Sequence, residues 1–169
     1  GPVDENNIAL DFSYSIPTSE VYKLSFGIKG SMNLLNVDFT KLYLGSNNDV
    51  AFQNNIDNKL SPNVGVGFYL HSDISYVGIS APNLLEKVEM VPEKTHYYLI
   101  AGHVFDLSPS LNFKPAMQAK YVKGAPMEID LSANMMINEK FVAGVSYRWN
   151  TAVSALLGFQ TSESFFIGY

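Results

Sequence analysis

The sequence predicts an all-β protein that forms an antiparallel transmembrane β-barrel, and three observations support this prediction. The 169 residues include 47% hydrophobic but only 16% charged side chains, whereas ordinary soluble domains have roughly 25% charged residues. Apolar and polar residues alternate along most of the chain. Aromatic residues recur near the ends of the alternating segments, as in the interfacial girdles of barrels: Tyr14, Tyr22, Tyr121, Tyr147, Trp149 and Tyr169. We expect one barrel domain over residues 1–169.

The alternation divides the chain into strands, because successive side chains of a strand point to opposite faces. The clearest strands cover residues 8–16, 22–32, 111–121, 127–137 and 141–149. Less regular strands cover residues 63–70, 74–81, 96–105, 151–160 and 164–169. This gives about ten strands, and several have the ~9–11 residues that cross a bilayer. A soluble sandwich or lipocalin-like barrel would show the same alternation, but the low charge content and the strand number favour the membrane.

The uncharged stretches of the chain are too short and too polar to be helical membrane spans. Two of the longest, residues 74–85 and 149–162, contain Ser, Asn, Gly or Pro. Neither provides the ~18–20 apolar residues that a membrane helix needs. Residues 1–7 also lack the basic and apolar regions of a signal peptide.

The connections are of two alternating kinds. Short turns are predicted at residues 17–21, 71–73, 106–110, 138–140 and 161–164; the other connections are 36–62, 82–95, 122–126 and 150–151. Outer-membrane barrels have short periplasmic turns and longer external loops. With that orientation both chain ends would lie outside, whereas closed bacterial barrels have even strand numbers and usually keep both termini in the periplasm. We therefore expect the barrel to be incomplete at both ends of these residues.

Each strand has one face for lipid and one for the lumen. We expect Leu10, Phe12, Phe26, Ile28, Phe113, Ile129, Leu131 and Val145 to face lipid. We expect Lys23, Lys29, Lys114, Lys120, Glu128, Asp130 and Arg148 to face the lumen. If residues 122–126 form a hairpin loop, Lys120 lies opposite Glu128 and Gln118 lies opposite Asp130. Such pairs fix the register and fill the interior with polar groups, and a role in selectivity is the other interpretation.

Composition excludes several classes of function. A net charge of −5 provides no basic surface for nucleic acid. The absence of cysteine excludes disulfides, thiolate zinc sites and cysteine nucleophiles. No G-x-S-x-G or phosphate-binding glycine loop occurs, and residues 64–67 (Val-Gly-Val-Gly) lie on a strand, where glycine marks a kink or close packing.

The polar loops and histidines do not form a recognisable metal site. His96 and His103 are an odd number of positions apart and should face opposite sides, while His71 lies at a predicted turn. The Asn-rich residues 46–58 lack the spacing and the closing Glu of a calcium loop, so turn chemistry is the better interpretation. We predict no catalytic residue, cofactor or metal, and no binding residue can be named. The segment Pro82-Asn83-Leu84-Leu85 could be a plug or an interaction patch.

Several motifs resemble the PorP/SprF family, in that family's order and across nearly the whole chain. They are Ala51-Phe52-Gln53-Asn54-Asn55, Ser61-Pro62-Asn63-Val64-Gly65-Val66-Gly67, Tyr76-Val77-Gly78-Ile79-Ser80-Ala81-Pro82-Asn83-Leu84-Leu85, His96-Tyr97-Tyr98-Leu99, Lys120-Tyr121-Val122-Lys123-Gly124-Ala125-Pro126, Ser146-Tyr147-Arg148, Ala152-Val153-Ser154-Ala155-Leu156-Leu157-Gly158-Phe159-Gln160 and Ile167-Gly168-Tyr169.

This resemblance implies a non-enzymatic outer-membrane component of the type IX secretion system of Bacteroidota. The implied role is export or surface attachment of cargo proteins such as gliding adhesins, through their C-terminal domains. The implied partners are outer-membrane lipid, the PorK/PorN ring, PorE, the translocon and the cargo. The alternative is an outer-membrane porin or small-molecule transporter, because the polar face carries charges of both signs.

Overall fold

The described residues form one antiparallel β-sheet of eleven strands. The computed structural model describes residues 3–38, 56–85, 94–162 and 165–168. The strands are β1 (Val3–Pro17), β2 (Lys23–Val37), β3 (Ile56–His71), β4 (Ser75–Ala81), β5 (His96–His103), β6 (Phe105–Ser108), β7 (Leu111–Val122), β8 (Glu128–Ile137), β9 (Phe141–Arg148), β10 (Ala152–Ser162) and β11 (Phe165–Gly168). No helix in these ranges is long and apolar enough to span a membrane.

Strands that follow each other in the chain lie side by side in the sheet. The order is β1-β2-β3-β4-β5-β7-β8-β9-β10-β11, and β6 pairs with β7 beyond the end of β5. Every pair is antiparallel. The described sheet is open, with β1 and β11 as its two edges. The meander predicted from the alternation is confirmed.

The predicted strand over residues 96–105 is interrupted, and part of the predicted turn over residues 106–110 is strand. β5 pairs with β7 as far as Gly102 opposite Ala116, and β6 resumes the same register at Phe105 opposite Phe113. Pro115 lies on β7 at the break. Because proline has no backbone N–H, it cannot donate to the ladder, and central strands open where it occurs.

The predicted loop over residues 36–62 is wrong at both of its ends. β2 continues to Val37 and β3 already begins at Ile56, so Leu34 pairs with Leu60 and Met32 with Pro62. Asn, Ser and Pro interrupt the apolar alternation here, and the backbone ladder continues regardless of these side chains. Of the Asn-rich residues 46–58, the first ten lie outside the described residues and the last three belong to β3.

Directly paired residues of neighbouring strands point to the same side of the sheet. Each of the two faces can therefore be followed from strand to strand through the register. One side, the apolar face, contains the row Phe12, Ile28 and Val66, and further along the row Leu131, Tyr147 and Val153. All eight residues expected to face lipid lie on this face: Leu10, Phe12, Phe26, Ile28, Phe113, Ile129, Leu131 and Val145. The other side is called the polar face below.

In the described part of the chain, the sheet is a single layer without a hydrophobic core. Within the described ranges, Ala81 is the one hydrophobic residue that is buried. Large side chains of the apolar face are exposed instead, with Leu10 at 80% and Val153 at 75%. A globular domain buries the apolar side of a sheet against a second layer. Here the described residues provide no second layer over the apolar face.

Candidate functional site

The polar face gathers the charged residues that the alternation assigned to a lumen. Cross-strand pairs link Lys29 to Asp11, Lys120 to Glu128 and Asp130 to Arg148. All seven expected lumen residues lie on this one face: Lys23, Lys29, Lys114, Lys120, Glu128, Asp130 and Arg148. The sequence therefore predicted correctly which residues share a face.

Strands β7, β8 and β9 carry an ion-pair ladder on the polar face. Lys120 Nζ lies 3.5 Å from Glu128 Oε2. Arg148 donates from Nε to Asp130 Oδ1 at 2.7 Å and from its terminal nitrogen to Oδ2 at 3.2 Å. The predicted pairing of Lys120 with Glu128 and of Gln118 with Asp130 is confirmed. The stronger partner of Asp130 is Arg148. The sequence prediction missed this partner because it considered only the hairpin of β7 and β8, whereas Arg148 lies on β9.

A trough crosses the polar face between β1 and β5. It consists of two adjoining depressions of about 350 and about 310 Å³ that share Ser13, Gly27, Gly67 and Ser80. Asp11 and Lys29 line one depression, and Tyr69 and Tyr98 line the other. Glycines and hydroxyl-bearing residues contribute to its lining, but most of the lining surface is apolar. The charged groups are confined to one end.

Aromatic rings next to the trough lie over glycines of the neighbouring strand. Tyr69 stacks on His71 at 5.0 Å between ring centroids and lies 5.9 Å from Tyr76. A Cβ at Gly78 would meet Tyr69 at 3.0 Å, and one at Gly102 would meet Tyr76 at 2.6 Å. Each tyrosine is directly paired with its glycine across the strands. The missing side chain is therefore what lets the ring lie flat on the sheet.

A cation completes this aromatic group. Lys114 Nζ lies 5.4 Å from the centroid of the Tyr76 ring, within the distance of a cation–π contact. Lys114 and Tyr76 belong to strands that are not neighbours in the sheet, since β5 lies between β4 and β7. The contact therefore spans three strands of the polar face and passes above Gly102, where no side chain intervenes.

Asn63 fixes the segment that follows β4. Its Nδ2 donates to the Leu85 carbonyl at 3.1 Å, and its Oδ1 accepts from the Leu85 N–H at 3.0 Å. Asn63 is buried, and a Cβ at Gly65 would lie 2.5 Å from the carbonyl oxygen of Pro82. The chain at Pro82 is thus pressed onto the polar face above Gly65. The sequence singled out residues 82–85 as an apolar segment but gave no signal for this clamp.

The three histidines lie apart, and His96 and His103 face opposite sides as their spacing predicted. His96 donates from Nδ1 to the Lys94 carbonyl at 2.9 Å and stacks on Tyr98 on the polar face. His71 is the last residue of β3, also on the polar face. His103 lies on the apolar face, 2.6 Å from Ser75 Oγ. The described residues contain no group of three or more His, Cys, Asp or Glu side chains that could hold a metal ion.

Comparison with known proteins identifies a family. The family model described as "Type IX secretion system membrane protein PorP/SprF" matches residues 1–169, the whole chain. Neither the curated proteins nor the solved structures contain a match.

Proposed function

Because the chain belongs to the PorP/SprF family of type IX secretion system membrane proteins, we propose that it forms part of an outer-membrane β-barrel. In this proposal the barrel serves the export or surface attachment of cargo proteins such as gliding adhesins, and catalyses no reaction. The observation that carries it is the exposed apolar face, which runs across every strand of the described sheet without a second layer over it. Lipid is the environment that such a face requires.

The aromatic residues support membrane insertion. Tyr97, Tyr121, Tyr147 and Trp149 lie on the apolar face near the ends of β5, β7 and β9, with contacts of 6.3 Å between the first two rings and 6.2 Å between the last two. On β7, Phe113 and Tyr121 are about 27 Å apart at ~3.4 Å per residue. At a tilt of ~40° this is about 20 Å across the membrane, near the ~25 Å apolar band of barrels. Tyr169 lies outside the described residues.

The polar face would then line the lumen, and the ion-pair ladder and the Pro82–Leu85 segment would narrow it. A lumen filled in this way supports a docking role better than free diffusion. We propose the cargo C-terminal domains, the translocon, the PorK/PorN ring and PorE as protein partners. Outer-membrane lipid covers the apolar face.

The edges of the sheet must be covered in this proposal. Unpaired backbone groups in hydrocarbon each cost several kcal/mol, and β1 and β11 are the two edge strands of the described sheet. Further strands of the same polypeptide would close the barrel beside β1 and β11. A partner protein at these edges is the other physical solution.

Deletion of the gene tests the role in export. We expect one surface adhesin to be lost from the cell surface while uptake of small dyes and antibiotics stays unchanged. The adhesin is followed by antibody labelling of intact cells. Normal display in the deletion strain would contradict the proposal.

A porin or small-molecule transporter is the second candidate, and the mixed charges of the polar face favour it. Planar-bilayer recordings of the full-length protein distinguish the two. Steady conductance that changes with charge reversal at Lys120 or Arg148 would support the porin. The secretion role predicts no such conductance.

A further inference from the structure

A groove of about 610 Å³ opens on the apolar face near the short turns. Its lining is almost entirely apolar and includes Leu70, Val77, Ala101, Met117 and Leu131, which form one continuous cross-strand row. Small-molecule sites have volumes of roughly 300–1,000 Å³. The groove is therefore a depression large enough for a ligand in a face that is otherwise covered by protruding side chains.

The sequence creates the groove at the break in the ladder. Pro115 removes a backbone donor on β7 where β5 ends and β6 has not begun. Ala101, in the middle of the row, has a short side chain between Val77 and Met117. The large side chains of Phe105 and Tyr22 line the end of the groove that is nearest the turns. The depression is thus built by a strand interruption and a small residue, surrounded by large ones.

One hydrogen-bonded polar pair lies in this apolar groove. Ser75 and His103 are directly paired across β4 and β5, with Ser75 Oγ 2.6 Å from His103 Nδ1. The His103 ring packs edge-to-face on Phe105 at 4.3 Å between centroids. Polar groups that face hydrocarbon are costly and mark functional positions. The sequence gave no signal for the pair, because the two residues are 28 positions apart.

After the hydrogen bond between Ser75 and His103 is made, one N–H or O–H group of the pair is still free to donate to a ligand. If the Ser75 hydroxyl donates to Nδ1, neutral His103 carries its proton on Nε2 and can donate from there. If His103 instead donates from Nδ1 to Ser75 Oγ, the Ser75 hydroxyl proton is left to donate. In either arrangement the groove offers a donor to an oxygen that only accepts. Phosphate and ester carbonyl oxygens are of this kind.

We propose that the groove binds one phospholipid, with its phosphate or ester oxygens at Ser75 and His103 and an acyl chain along the row through Ala101. The placement fits the shape of the ligand: the polar pair lies toward the short turns and the apolar row lies toward the middle of the strands. The groove is continuous with the apolar face that meets lipid. The proposal therefore rests on the membrane insertion proposed above.

The test is retention of phosphatidylethanolamine by the full-length protein. The protein is delipidated in detergent, mixed with a small excess of this lipid, washed and examined by native mass spectrometry. We expect one bound lipid per chain in the unaltered protein. Ala101→Trp fills the groove and should abolish retention. The matched control is Ala155→Trp, the same change on the apolar face of β10 outside the groove, which should retain the lipid.

The polar pair is tested separately. Ser75→Ala and His103→Leu each leave one donor, whereas the double variant leaves none. We expect each single variant to bind within about threefold of the unaltered protein and the double variant to bind about tenfold more weakly, which corresponds to about 1.4 kcal/mol. Equal binding by the double variant would overturn the assignment of the headgroup to this pair.

Two outcomes would overturn the site itself. Equal lipid retention by Ala101→Trp and Ala155→Trp would mean that the bound lipid is general boundary lipid. If the unaltered protein retains no lipid, the proposed site is disproved as well. Because the outward orientation of the apolar face is measured independently by spin-label accessibility, failure of the groove and failure of membrane insertion can be distinguished. Heat-modifiable migration in gels confirms that each variant is folded, and the double variant still tests the site if Ala101→Trp fails to fold.

Discussion

Arg148 on β9 donates two hydrogen bonds to the carboxylate of Asp130 on β8, at 2.7 and 3.2 Å. The two residues are directly paired in the register, so the backbone ladder places the guanidinium opposite the carboxylate. A planar guanidinium with two parallel bonds provides geometric specificity that a lysine does not. The pair therefore fixes the register of β8 against β9 on the polar face.

Charge reversal tests this relationship. Asp130→Arg alone places two like charges opposite each other and should lower the thermal midpoint of the full-length protein. Arg148→Asp alone should do the same, and the two together should restore the midpoint, since opposite charges face each other again. The control is the corresponding set at the other ion pair: Lys120→Glu, Glu128→Lys and the two together. Their effects should be smaller, because that pair is a single contact at 3.5 Å. A double variant as unstable as either single one would contradict the pairing.

The two faces can be distinguished by spin labels. Labels at Phe12, Ile28 and Val145 on the apolar face should be quenched by oxygen, which concentrates in lipid. Labels at Lys29, Lys120 and Arg148 should instead respond to a water-soluble nickel chelate. A register slip of one residue would exchange the faces at every position of a strand. Equal accessibility of the two sets would contradict membrane insertion.

Gly102 should be intolerant of a side chain because the Tyr76 ring lies over it. A Cβ there would meet the distal atoms of the ring at 2.6 Å, so the ring must shift from its contacts with Tyr69 and Lys114. The cost should lie near the lower end of the about 1–3 kcal/mol that is typical of overpacking. We expect Gly102→Ala to lower the free energy of unfolding by about this amount, measured by urea titration in detergent. Gly30→Ala is the control, since nothing lies within 4 Å of its added Cβ. If Tyr76 is the cause, Tyr76→Ala should reduce the effect of Gly102→Ala.

Asn63→Ala should release the segment that follows β4. The substitution removes both hydrogen bonds to Leu85, and a typical intramolecular hydrogen bond contributes about 0.5–1.5 kcal/mol to stability. We expect faster hydrogen exchange at Leu84 and Leu85, while exchange in β7 and β8 stays unchanged. Ser61→Ala, on the same face of β3, is the control. Unchanged exchange at Leu85 would mean that other contacts hold the segment.

The sequence predicted the strands and their faces because both depend on a local period of two residues. Where the alternation is regular, as from Leu111 to Tyr121, the side on which each residue lies is confirmed. The period fails where polar residues or proline interrupt it, so the start of β3 at Ile56 was missed. The Ser75–His103 pair and the Asn63 clamp depend on how distant strands are arranged. No local pattern contains that information.

The last prediction concerns the edges of the sheet. β1 is an edge strand of fifteen residues, and Leu10 on it is 80% exposed. In hydrocarbon each unpaired backbone group along such an edge costs several kcal/mol, so residues 1–169 alone should not form a closed barrel. We expect the isolated polypeptide, refolded in detergent, to lack heat-modifiable migration in gels and to be digested by trypsin. The full-length protein, treated in the same way, should migrate anomalously and resist digestion. A protease-resistant, heat-modifiable product from residues 1–169 would show that β1 and β11 can pair directly, and the need for further strands would then be disproved.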